Sequence, residues 1–529
     1  MARDPTPESG IPGAAGDRLL PDWLARQAGA HPHRLALAAG SVRWSFETLN
    51  RQASRTARQL ASLGIVEGSR AALLLPNSAA FVTLMHALAR LGAVTVPLNT
   101  RLTPPELAWQ LADAGAELLI TGEQLRRLAA EAARDLVDLR RVIIGDPPEL
   151  HGLIREPDGS AVAEARVPLR DTVDLAAVQG IIYTSATSGR PKGVLLTHGN
   201  HWWSAIGSAL RLGLRDDDRW LAALPFHHVG GVAILWRSVI YGIPAVIHQT
   251  FDAGAVNHEI DTGGITIVSV VSTMLERILA ARGNRPFPAS LRCILLGGGP
   301  IPRSLLAECA GRGAPVAVTY GLTEAASQVA TLVPGQVAQK PGSCGEALLP
   351  TQIRIDLDGR AGEPGDIGEV LVAGPTVMQG YAGRPEETAR ALRDGWLHTG
   401  DLGYLDSEGY LYILDRRDDL IVTGGENVYP AEVEAVLREH PAVADAGVIG
   451  LPDPTWGQTV AAVVAVREPE HMSKEDVEAF CAARLAKYKI PRQVWFMDAL
   501  PRSPGGKLLR STLREWAAQA AARGRTPAG

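Results

Sequence analysis

The segment Tyr183-Thr-Ser-Ala-Thr-Ser-Gly-Arg-Pro-Lys-Gly193 brings hydroxyls, small residues and one lysine together directly after an apolar run. Such a loop can wrap phosphates. Glycine and small side chains let backbone N–H groups approach an anion, Thr184, Ser185, Thr187 and Ser188 offer hydroxyl donors beside Gly189, and Lys192 adds charge. It is not a P-loop, because Gly193 stands where that motif needs Ser or Thr and the G-x-x-x-x-G-K spacing is absent. The plain alternative is a flexible surface loop, against which the composition of the whole segment speaks.

Other segments are weaker taken singly. Gly297, Gly298 and Gly299 ahead of Pro300 would let a ligand lie against backbone, or make only a tight turn. Tyr320-Gly321-Leu-Thr323-Glu324 joins a stacking aromatic, a hydroxyl and a carboxylate able to hold Mg²⁺ on a nucleotide. His227-His228 precedes the flexible Gly230-Gly231, and a zinc role is disfavoured because no second cluster supplies ligands. Asp401, in Trp396-Leu-His-Thr-Gly-Asp401, could accept both hydroxyls of a ribose or simply cap a turn. Six of the 52 basic residues are lysines, so a lysine is a marked choice, and Lys507 sits on a Gly-Gly turn from which it could reach a neighbouring cleft.

These residues need a frame. Between about 20 and 320, apolar runs (Arg70–Leu75, Ala93–Pro97, Leu118–Thr121, Val142–Ile144, Gly180–Tyr183, Ala245–His248, Ile265–Val270, Cys293–Leu296) alternate with amphipathic stretches such as Phe81–Leu91, Pro105–Ala114 and Thr273–Arg282. That alternation predicts an α/β fold with two layers of largely parallel sheet. Short strands punctuated by Gly and Pro from 340 to 414 predict an antiparallel sheet or small barrel, and about 110 further residues an α+β unit. The expected division is 1–16 tail, 17–415 large N-terminal domain, 416–517 C-terminal domain and 518–529 tail.

Composition excludes other classes. With 529 residues, 46% of them hydrophobic, the chain can bury several cores, and a net charge of −5 without long basic runs argues against nucleic-acid binding. Cys293, Cys309, Cys344 and Cys481 show neither disulfide nor zinc spacing, no apolar stretch approaches a membrane span, and the N-terminus lacks an apolar targeting core. A cytoplasmic enzyme of small molecules is the expectation, with no integral membrane association and with homo-oligomerisation left open.

In their order and spacing, the motifs at Thr184–Gly193, Tyr320–Glu324, Thr399–Asp401, Gly424–Pro430 and Pro501–Arg510 resemble those of the adenylate-forming acyl-CoA synthetase superfamily, from about residue 20 to 515. The resemblance implies two doubly wound subdomains and a small β-barrel, followed by a C-terminal domain hinged near Asp418. It implies ATP, Mg²⁺ and CoA as co-reactants of a carboxylic acid. By similarity Lys507 holds carboxylate and α-phosphate together, Thr323 touches phosphate, Glu324 binds Mg²⁺, and Thr184 to Lys192 embraces pyrophosphate. Gly298, Gly299, Tyr320 and Gly321 join the ATP site, Asp401 grips the ribose beside Arg416, and Gly424 and Gly425 face CoA. Ala186 departs from the pattern, since the loop commonly has glycine there.

The segments Leu296–Pro300, Thr323–Gln328 and Leu414–Ile421 further resemble the branch that ligates CoA to 2-succinylbenzoate in menaquinone synthesis. For that branch the acyl pocket would include His228, Thr273, Gly297 and Ser327. Alternatives are an aryl- or medium-chain acyl-CoA ligase, or an adenylation domain loading a carrier protein. Lys507→Ala is expected to slow adenylate formation by roughly 10²–10³-fold, as for loss of one preorganised charge, while sparing thioester formation from pre-made acyl-adenylate. Separate assays of the two half-reactions check this, and equal losses would contradict it.

Overall fold

Strands such as Ala71–Leu74 and Cys293–Leu296 are apolar at successive positions, so both their faces need cover, and buried parallel sheets flanked by helices supply it. The computed structural model describes residues 18–145, 154–184, 191–299, 301, 303–357, 359–415, 421–467, 470–501, 508 and 510–522. An eight-stranded sheet runs in the order Gly380–Tyr381, Lys192–Thr197, Val178–Thr184, Val94–Pro97, Arg70–Leu74, Leu118–Gly122, Arg140–Ile144, Ile154–Arg155. Its central pairs are parallel. Strand Val178–Thr184 turns back antiparallel into Lys192–Thr197, with Thr184 opposite Lys192, so the two ends of the expected phosphate loop lie side by side.

A nine-stranded sheet is parallel through its centre, from Val316–Leu322 across Cys293–Leu296, Ile267–Val270, Trp220–Ala222 and Ala245–Ile247 to Leu35–Ala39. The expected strand at Ile265 starts instead at Ile267, because Thr266 N and Ile267 N both donate to the Arg219 carbonyl (3.1 and 3.2 Å) and the regular ladder begins only at Ile267 opposite Trp220. Strands between Gln352 and Asp415, apart from Gly380–Tyr381, form a six-stranded antiparallel sheet. The last sheet has five strands, led by the long hairpin Val443–Asp453 and Gly457–Val466 and covered by helices Pro430–Arg438, Lys474–Ala482 and Arg510–Ala522. Among the described residues no helix is long and apolar enough to cross a membrane.

Beneath the first helix lies a cluster of rings. Trp23, Trp202 and Trp236 surround His86, His198 and His201, and all three histidines are buried. Removal from water disfavours the imidazolium, holding His86 and His201 down to about 3 and His198 to about 4. In the unfolded chain these groups take up protons near pH 6.5, whereas in the fold they stay neutral. The stability they contribute is therefore whole above pH 6.5 and is lost as pH falls towards 4. For His198 alone, two-state titration gives a loss of about 2 kcal/mol between neutrality and pH 5. Urea melts at pH 7 and pH 5 should show a clearly lower midpoint in acid; equal midpoints would mean that the imidazoles meet solvent.

Candidate active site

The edges of three sheets converge on one cavity of about 230 Å³. The strand end Thr184, the turn at Gly297 and Gly298, and the segment Gly321–Gln328 line it, with Gly425 and Glu426 closing it from the C-terminal sheet. The Gly321–Gln328 turn is tight. A Cβ on Gly321 would collide with the Ser327 carbonyl, and Ala326 and Ser327 hold positive φ (51° and 94°), a strained backbone that aims Ser327 into the cavity. The hydroxyl and carboxylate of Thr323 and Glu324 emerge from the single helical turn Thr323–Ala325 at this point.

Thr184, Gly297, Gly298, Gly321, Thr323, Glu324, Ser327, His228 and Gly425 are thus brought together by the fold. Tyr381 Oη donates to Glu324 Oε1 (3.0 Å), and Tyr320 Oη donates to Asp401 Oδ2 (2.6 Å), which fixes that buried carboxylate beside the strand end. Lys192 Nζ pairs with Glu387 (2.7 Å) and lies over the Tyr381 ring, so a bound polyphosphate would compete with Glu387 for it. Ser185, Ala186, Thr187, Ser188, Gly189, Pro300, Arg416, Asp418 and Lys507 lie outside the described residues.

Other expected site residues stand beside the cavity and not in its lining, Lys192, Tyr320 and Asp401 among them. Thr273 is not among the cavity residues: it opens helix Ser272–Arg282 on the side facing the C-terminal sheet, where a Cβ on Gly457 would come within 2.7 Å of its methyl group. Gly299 faces Val422 of that same sheet, and Gly424 backs onto the Trp456 ring, so neither lines the cavity as Gly298 and Gly425 do.

Two features were not foreseen. The first is Arg237, in the helix Val229–Tyr241 that follows the histidine pair; Gly231 allows the helix to start close against Pro225, whose carbonyl a Cβ there would strike. Arg237 is 2% exposed and lines the cavity. Its Nη2 donates to Ser204 Oγ (3.2 Å), its guanidinium stacks over Trp220, its Nε has no hydrogen-bond partner, and no carboxylate pairs with it among the described residues. Burial weakens its hold on the proton, as expected for a cation without a counter-charge. Its type carries no signal in a chain with so many arginines.

The second is Glu426, which crosses from the C-terminal sheet into the seam. It is almost fully buried, and it accepts from Asn99 (3.3 Å), pairs with Arg101 (3.0 Å) and lies 3.4 Å from His228 Nε2. Burial alone would raise its carboxyl, yet the adjoining His227 and His228 imidazoles hold it well below the usual range. The third ligand type that the histidine pair lacked in sequence is therefore supplied from the other end of the chain: ligand atoms of His227, His228 and Glu426 lie within 4.8 Å of one another, close enough to hold a metal ion.

The chain belongs to the AMP-binding enzyme family: the family model matches residues 24–382, and the model of its C-terminal domain matches residues 432–507. Among curated relatives it is 46% identical over 496 residues to the 2-succinylbenzoate–CoA ligase of Geobacillus sp. strain WCH70, covering 94% of this chain and 97% of that one. The corresponding ligase of Geobacillus kaustophilus is 47% identical over 495 residues. Among solved structures, o-succinylbenzoate CoA synthetase of Bacillus subtilis, as a double mutant bound to a product analogue of CoA, matches with a TM-score of 0.87 at 41% identity, covering 94% of this chain and 99% of that one. The same synthetase with ATP and magnesium ion matches at 0.71 and 42% identity over equal shares, and its complex with the acyl-adenylate also matches at 0.71. The present chain superposes more closely on the product-analogue complex than on the ATP–magnesium and acyl-adenylate complexes.

Proposed function

We propose that this chain joins 2-succinylbenzoate to CoA through an acyl-adenylate, releasing diphosphate and then AMP. One carboxylate oxygen of the acid attacks the α-phosphorus of ATP, and the bond to diphosphate breaks. The CoA thiolate then attacks the acyl carbonyl, and AMP leaves. Both transition states gather negative charge, so preorganised donors govern the rate. Thr323 and the turn at Gly321 face the phosphate position, Asp401 faces the ribose, and Lys507, by its motif, bridges carboxylate and α-phosphate. Glu324 offers the hard oxygen donor that Mg²⁺ prefers, and the ion would spread charge on the phosphate oxygens.

The observation that carries the substrate is Arg237. A monocarboxylic acid spends its only charge at the phosphate, leaving a buried guanidinium without an anion. 2-Succinylbenzoate has a second carboxylate, which Arg237 can hold where it lines the cavity, while Ser204 Oγ, which donates to the Ala326 carbonyl (2.7 Å), steadies the guanidinium. Ser269 Oγ, which accepts from Trp220 Nε1 (2.9 Å), retains a proton for a ligand oxygen. The identity to curated ligases for this acid along 94% of the chain supports the same reading.

AMP release with ATP, Mg²⁺ and CoA, measured for 2-succinylbenzoate beside benzoate, octanoate and a blank without acid, tests the proposal. Succinylbenzoate should be fastest, and Arg237→Met should lower its kcat/KM roughly 10- to 100-fold, the scale for losing a buried charged hydrogen bond. Preference for octanoate or benzoate, with succinylbenzoate idle, would overturn the substrate and leave the chemistry.

A further inference from the structure

Lys489 is the most enclosed lysine of the described residues, with its side chain 5% exposed at the seam between the C-terminal sheet and the N-terminal layers. Its Nζ donates to Glu432 Oε1 and to Glu106 Oε1, each at 2.8 Å. The two carboxylates come from opposite sides. Glu432 lies in the first turn of helix Pro430–Arg438, within the same unit as Lys489, whereas Glu106 lies in the first turn of helix Pro104–Ala114. Glu106 is itself held, since its Oε2 accepts from Thr103 N (2.9 Å) and Thr103 Oγ1 (2.8 Å) in a capping box. A rigid acceptor on one body therefore meets a buried ammonium on the other.

The neighbours bind the same way. Asn99 Nδ2 donates to Tyr488 Oη (3.2 Å), Arg101 stacks over the Tyr488 ring, and Thr103 Oγ1 reaches the Arg484 carbonyl (3.4 Å). We propose that Glu106 and Lys489 are positioning residues: their ion pair is a latch between the two units that holds the arrangement in which CoA attacks the acyl-adenylate. This rests on the two-step reaction proposed above and on the closer match to the product-analogue complex than to the ATP and acyl-adenylate complexes. Glu106 stands outside the cavity and Lys489 reaches only its rim at the seam, where both carboxylates hold its ammonium. When the units part, Lys489 keeps Glu432 and only the bond to Glu106 opens. One ammonium facing two carboxylates leaves an excess negative charge in the closed cluster, so the latch is releasable and the next adenylation can proceed.

The test is a double-mutant cycle with Glu106→Gln, Lys489→Met and the pair, read separately in each half-reaction on the full chain. Glutamine still serves the capping box, so the helix start survives. Thioester formation from pre-made acyl-adenylate should fall roughly 10- to 100-fold in each single variant, and the double variant should be no slower than the slower single, the sign of a shared interaction. Acid-dependent exchange of diphosphate into ATP should stay within about twofold, a split that general unfolding would not give. Equal loss in both halves, additive losses, or an unaffected thioester step in Glu106→Gln would overturn the latch. A wild-type chain that forms adenylate but no CoA ester would remove the two-step reading and the latch together.

Discussion

A guanidinium buried without an anion is the constraint on which the rest of this structure turns. Removing a cation from water costs several kcal/mol even after the surroundings relax, and Arg237 recovers only one bond to Ser204 and the face of Trp220. The strained turn at Ala326 and Ser327 and the close packing at Gly321 give the cavity fixed walls around that charge. Arg237, Thr323 and Glu324 line the same cavity, so on the proposed reaction an anion that completes Arg237 would direct its remaining length at the phosphate end. Affinity and alignment come from the same contact.

The seam between the units follows a related logic. Glu426 and Lys489 are charges placed where they are buried only while the units are docked, and each finds its partners on the other side, in Asn99, Arg101, His228 and Glu106. An apolar seam would hold the units by area and release them poorly. A seam of directional ion pairs fixes one orientation closely and still exchanges its partners for water when the units part, as an enzyme that uses one cavity for two reactions requires.

Much of the frame was legible in the sequence, because strands such as Cys293–Leu296 and Gly368–Ala373 end at turn residues and their apolar pattern fixes their extent. Of the loop read as phosphate-binding from its hydroxyls, glycines and lysine, the structure describes the two ends, Thr184 and Lys192, paired across adjacent strands. What sequence could not carry was contact between distant segments. Asn99 and Glu426 are 327 positions apart, Lys489 and Glu106 are 383 apart, and no spacing rule joins them. Arg237 sits in an apolar helix that reads as core, and Thr273 reads as a pocket hydroxyl although the helix start turns it towards the seam.

The central claim, that Arg237 receives the carboxylate that does not react, is tested most directly by a crystal structure of the chain with the acyl-adenylate of 2-succinylbenzoate. The account predicts that the free carboxylate lies within about 3 Å of the Arg237 guanidinium, the usual length of a charge-assisted hydrogen bond, with the adenylate phosphate beside Thr323. A free carboxylate pointing elsewhere, with Arg237 still bonded only to Ser204, would contradict it.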